Sequence, residues 1–73
     1  MDNAKRPLAI NFSGDEVETL QADLAQLNFT IPATESEQKT FGVGTQGAII
    51  QLQAVAGLPH TGIVDAATRL AID

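Results

Sequence analysis

The sequence predicts an all-α fold, a compact three-helix bundle with short turns and one longer polar loop. Three observations carry that expectation. Apolar residues recur at three- and four-residue steps in separate stretches. A residue suited to N-capping precedes each stretch. A residue suited to the left-handed conformation, Asn28 or Gly57, follows the first two.

The first helix is expected over about 14–27. Val17, Leu20, Leu24 and Leu27 fall on one face. Ser13 is the expected N-cap, with Glu16 completing a capping box and Phe12 and Val17 forming a hydrophobic staple. Asp15, Glu16 and Glu18 sit in the first turn, where negative charge offsets the helix dipole. Between Phe29 and Val43 the periodicity dissolves. Phe29-Thr30-Ile31 reads as a short extended return, and 33–40 as a solvated polar loop. Helical spacing resumes after Thr45, a candidate N-cap, over about 46–56, with Ala48, Ile49, Leu52, Val55 and Ala56 as the apolar face. Gly57 and Pro59 stop it. Asp65 is the expected N-cap of a last short helix that turns Ala67, Leu70 and Ala71 inward. Residues 1–10 read as a mobile segment and 11–73 as the domain.

Composition excludes several functions. Seventy-three residues leave room for one domain, and a core of that size seldom supplies more than about 3–5 kcal/mol. Nine acidic and four basic residues give a net charge of −5, unsuited to a nucleic-acid backbone. There is no cysteine, hence no disulfide scaffold and no thiolate site. No apolar run reaches the roughly 20 residues of a membrane span. No targeting segment is recognisable at the N-terminus. No nucleophile, metal or phosphate-loop motif occurs. The carboxylates at 15–18 are explained by a helix N-terminus and those at 35 and 37 by solvation. His60 follows Pro59 in a turn, without the positioned partners that catalysis needs. Neither enzymatic activity nor a cofactor is expected, and nothing marks a coiled-coil seam, so a monomer is expected.

Two internal echoes stand out. Phe41-Gly42-Val43-Gly44-Thr45 and Thr61-Gly62-Ile63-Val64-Asp65 each lead into a helix. Leu20-Gln21 and Leu52-Gln53 each place an amide at the edge of a buried stripe, where it needs partners, most simply loop backbone groups.

The series Gly14-x-x-Val17-x-x-Leu20-Gln21-x-x-Leu24-x-x-Leu27-Asn28-Phe29, Phe41-Gly42-x-x-Thr45-x-x-Ala48-Ile49-x-x-Leu52-Gln53 and Gly57-Leu58-x-x-Thr61-Gly62-x-Val64-Asp65-x-x-Thr68 resembles the peptidoglycan-binding-like domain over nearly the whole ordered chain. Asn28 stands where that family usually has glycine, Leu52 where it has phenylalanine, and 33–40 replaces a short Asp-Gly turn. The resemblance implies a non-catalytic three-helix module that binds peptidoglycan or muropeptides, tethers a larger protein, and acts outside the cytoplasm, in the periplasm or at the wall. A ligand carboxylate is expected at the N-terminus of the second predicted helix, among Phe41, Gly42, Thr45 and Gln46, with Gln53 and His60 as rim donors. The alternative is a spacer or protein-interaction domain that docks on neighbouring domains of its parent chain, marked by an exposed apolar patch around Ile50.

Overall fold

In the computed structural model, which describes residues 8–72, the elements run α1 (Asp15–Gln26), α2 (Ala33–Gln38), α3 (Val43–Ala56) and α4 (Ala66–Ile72). The all-α class holds, with α1, α3 and α4 as the principal helices and no strand longer than an isolated bridge among the described residues. Leu8, Val17, Leu20, Leu24, Phe41, Ala48, Ile49, Leu52 and Val64 form one buried cluster. Most of the expected mobile segment, residues 1–7, lies outside the described residues. Leu8 is itself 1% exposed and exchanges both backbone hydrogen bonds with Val64.

The segment 33–40, expected as a loop, contains α2. Pro32 opens it with φ −56, and its carbonyl accepts the N–H groups of Glu35 and Ser36. The stretch shows no apolar period because α2 has no buried residue. It is a single polar turn and a half, and its structural role is to carry one side chain, Glu35, to the start of α3.

Helices α1, α2 and α3 end alike. Asn28, Lys39 and Gly57 have φ of 73, 54 and 75°. In each case the next N–H reaches back to a carbonyl five residues earlier: Phe29 to Leu24 at 3.0 Å, Thr40 to Glu35 at 3.0 Å and Leu58 to Gln53 at 2.8 Å. This is the Schellman closure, and the stops expected at Asn28 and Gly57 are both realised through it.

Helix starts depart more from expectation. Ser13 does not cap α1: it is bridged to Thr40, and the N-cap is Gly14 at φ 115, ψ −167, a conformation reserved for glycine. Phe12 remains 40% exposed, so no staple buries it. Thr45 is not the N-cap of α3 either. Gly42 is, three residues earlier, and Thr45 lies inside the first turn, fully buried. The inward face of α3 is therefore Thr45, Ala48, Ile49, Leu52 and Gln53, whereas Val55 is 84% exposed and Ala56 is exposed. Ile50 is half-buried rather than the centre of an exposed patch. In α4 the buried Thr68 sets the rotation, so Ala71 and Ile72 lean on the core while Ala67 is exposed and Leu70 is 76% exposed.

Candidate functional site

The residues expected to receive a ligand cluster around the start of α3, and the structure shows what they touch. Gly42 presents only backbone there, so α3 has no side-chain cap of its own. Glu35, carried by α2, supplies one. Its Oε1 accepts the Thr45 hydroxyl and N–H, both at 2.8 Å, and the Gly42 N–H at 3.2 Å; its Oε2 accepts the Gly44 N–H at 2.9 Å. The dipole end where a ligand carboxylate was expected thus already holds a carboxylate from the same chain. Close packing permits this. A Cβ on Gly42 would stand 2.6 Å from the Glu35 carboxyl carbon, and one on Gly44 2.3 Å from the Pro32 ring.

Partial burial works against the Glu35 charge, but the Thr45 hydroxyl and the three N–H donors outweigh it and hold the carboxyl below its ordinary value of 4.5. Because the folded carboxyl is the more acidic, its stabilisation is complete above the ordinary value and is lost as pH falls through the folded one. Glu35→Gln is expected to cost about 1 kcal/mol at neutral pH, as a cap weakened but not removed. Melting temperature followed from about pH 7 to pH 2 should show wild type and variant converging on the acid side. Curves that stay parallel would mean that the Glu35 charge contributes nothing.

The expected glutamine echo is present in atomic detail. Gln21 Nε2 donates to Glu35 O (3.3 Å), Thr40 O (3.0 Å) and Thr45 Oγ1 (3.2 Å). Gln53 Nε2 donates to Thr61 Oγ1 (3.1 Å), Ile63 O (3.1 Å) and Thr68 Oγ1 (3.0 Å). Each glutamine therefore pins the loop before a helix and the threonine in that helix's first turn. Each threonine also bonds the carboxylate that caps the same helix, Glu35 for Thr45 and Asp65 for Thr68. Asp65 Oδ1 accepts the Thr68 N–H at 3.0 Å, and that bond together with the Thr68 hydroxyl lowers the Asp65 pKa from its ordinary value. Counted from the two helix starts, Phe41 corresponds to Val64, Gly42 to Asp65 and Thr45 to Thr68. The glycine-centred alignment read from the sequence is displaced from this one, because it paired Thr45 with Asp65 as caps.

The six candidate ligand residues differ in accessibility. Phe41, Thr45 and Gln53 are buried, at 0%, 0% and 1% exposure. Gly42 and Gln46 are half-buried, and His60 is exposed on the loop between α3 and α4. Phe41, Gly42, Thr45 and Gln46 are brought together at the start of α3. Gln53 sits two turns further on, tied to the His60 loop through the Gly62 N–H, which donates to its Oε1 at 3.0 Å. Gln46 lies against the same Gly62, close enough that a Cβ there would meet its Cγ at 2.9 Å. Glu35 escaped the sequence reading, although Pro32 followed three residues later by an acid is a helix-start signal, and a Gly-x-Gly helix start with no capping side chain implies a cap from elsewhere.

Among the described residues no three His, Asp or Glu side chains gather as a metal site, and no helix is long and apolar enough to cross a membrane.

Fold and site together define a small helical module whose motif side chains are consumed by its own loops. Residues 13–72 match the family described as a peptidoglycan binding domain, and the chain belongs to that family. The crystal structure of the SleB N-terminal domain is similar, with a TM-score of 0.82 and 28% identity over 93% of this chain and 89% of that one. No curated protein matches the chain.

Proposed function

We propose that the domain is a non-catalytic module that binds peptidoglycan and holds a larger protein at the cell wall, in an extracellular or periplasmic setting. The observation that carries this reading is the family match across residues 13–72. The internal chemistry agrees with it. Glu35, Asp65, Gln21, Gln53, Thr45 and Thr68 are each engaged in capping or pinning bonds, which leaves them unsuited to general acid–base work. In this reading Gly42, Gln46 and His60 contact the muropeptide as a monomer's accessible rim, while Phe41, Thr45 and Gln53 shape that rim from beneath. The net charge of −5 is the reason no nucleic-acid partner is assigned.

The test is retention of the folded domain on purified sacculi, with the supernatant assayed for released muropeptides. Retention without release is the expected result. A folded domain that washes through would favour the second reading, a docking or spacer domain within its parent chain. That reading draws on Val55, Leu70 and Val43, which are 84%, 76% and 74% exposed.

A further inference from the structure

Helix α2 is held to the domain almost entirely through one side chain. It has no buried residue, and its six residues are too few for a helix to stand alone in water. Both its ends are anchored by contacts that do not titrate. Before it, Ile31 packs against the core and the Pro32 ring lies against Gly44. After it, the Gly14 N–H donates to Lys39 O at 3.0 Å and the Phe41 N–H to Phe12 O at 2.8 Å. Between these anchors, among the described residues, the bonds from α2 to the rest of the domain converge on Glu35. Its carboxylate accepts the Gly42, Gly44 and Thr45 N–H groups and the Thr45 hydroxyl, and its carbonyl accepts Gln21 Nε2 at 3.3 Å.

Few charges surround this residue. Helix α3 carries none. Helix α1 turns Glu18 toward α2, where it borders a groove shared with Ser36. Glu18 and Asp15 both pair with Lys39 at the end of α2, at 3.5 and 3.7 Å, near the surface, where such pairs contribute little. Glu16 and Asp23 lie on other faces of α1, and Glu37 on α2 itself is exposed. The groups that hold the Glu35 charge are therefore hydrogen-bond donors of α3. Such bonds are strong because the acceptor is ionised. Protonation weakens them and adds one more donor to a row of donors.

We propose that α2 is an acid-released strap: protonation of Glu35 lets residues 33–38 swing away from the start of α3, between the anchors at Pro32 and Lys39, while α1, α3 and α4 stay folded. The direction follows from the donors. The Glu35 carboxyl is held below its ordinary value of 4.5, so the closed strap is favoured above that value and is lost as pH falls through the folded one. Opening forfeits no core burial, because α2 has none to lose. It bares the N–H groups of Gly42, Gly44 and Thr45, which turns a self-capped helix start into a free one. It also admits water beside Gln21, whose Oε1 is buried without a partner while the strap is closed. Strap opening needs no ligand and stands whether or not the domain binds the wall.

The experiment is a titration of the isotope-labelled domain from about pH 7 to about pH 3, followed by NMR. The expected result is a local step. Nuclear Overhauser contacts between Glu35 and Thr45 vanish, and the Ser36 and Thr40 amides lose exchange protection, at a pH where the amides of α1 and α3 keep theirs. Glu35→Gln should raise Ser36 and Thr40 exchange roughly fivefold at neutral pH and abolish the acid step. Asp15→Asn combined with Glu18→Gln removes the partners of Lys39 and should leave the step in place. Loss of α2 protection only together with that of α1 and α3 overturns the strap. So does a titration of the Gly44 and Thr45 amide shifts in which the Glu35–Thr45 contacts persist, since Glu35 then protonates in place. An acid step that survives in Glu35→Gln, or disappears in the double variant, assigns the hold to other groups and overturns it as well.

Discussion

Gln53→Leu is expected to lower the unfolding free energy by about 3 kcal/mol, most of what a domain of this size holds. The substitution nearly preserves volume, so the loss comes from polar groups and not from a cavity. Gly62 is buried and its N–H has Gln53 Oε1 as acceptor; stranding that donor accounts for about 1–3 kcal/mol. The bonds to Ile63 O and Thr61 Oγ1 add less, because both residues are exposed and water can replace the amide. Thr68 loses a donor but keeps its bond to Asp65. Urea unfolding monitored by circular dichroism would measure the change in midpoint. Gln21→Leu should cost less, since Gln21 Oε1 has no partner to strand. The opposite order would show that stranding the buried Gly62 N–H is not the main source of the loss.

Gly44→Ala is expected to destabilise by about 2 kcal/mol. In an exposed helix the same change would gain about 1 kcal/mol from propensity. Here a Cβ would stand 2.3 and 2.4 Å from two Pro32 ring carbons and 3.0 Å from Glu35 Oε2. A proline ring has no rotamer to retreat into, and overpacking of this kind costs about 1–3 kcal/mol, to which displacement of the Glu35 cap adds. Pro32 opens α2, so pushing it back draws Glu35 away from the Thr45 and Gly44 N–H groups. Thermal melts of Gly44→Ala in the wild-type and Pro32→Ala backgrounds would separate the effects. The expected result is a smaller penalty once the ring is gone, and a gain in stability from Gly44→Ala alone would refute the steric account.

What the sequence made legible was local chemistry. Leucine spacing located α1, Gly57 and Pro59 ended α3, Asp65 capped α4, and the paired Leu-Gln motifs foretold two amides that pin loops. What it concealed was chemistry between distant residues. Glu35 is ten residues from Thr45 in sequence, and nothing in a polar hexapeptide says that its carboxylate will cap another helix. Ser13 and Thr45 have the right side chains for caps, but backbone pairing claimed the first and burial beside Gln21 the second. The inward face of α4 differs from expectation for a similar reason, because a buried threonine bonded to Gln53 decides its rotation. For the candidate site, the motif residues were identifiable from order and spacing, while their accessibility depended on the same long-range bonds.

The arrangement of the two glutamine pins also shapes how the domain opens. Helix α3 receives the Gln21 pin at its first turn and extends the Gln53 pin from its own body to α4. It is therefore the shared link of a series, and the series has a direction. Release of α4 leaves the Gln21–Thr45–Glu35 contacts intact. Loss of α1 removes the support on which both later helices depend. Amide exchange under native conditions should reflect that hierarchy, with α4 exchanging through small local openings and α1 and α3 sharing a single slow rate set by global unfolding.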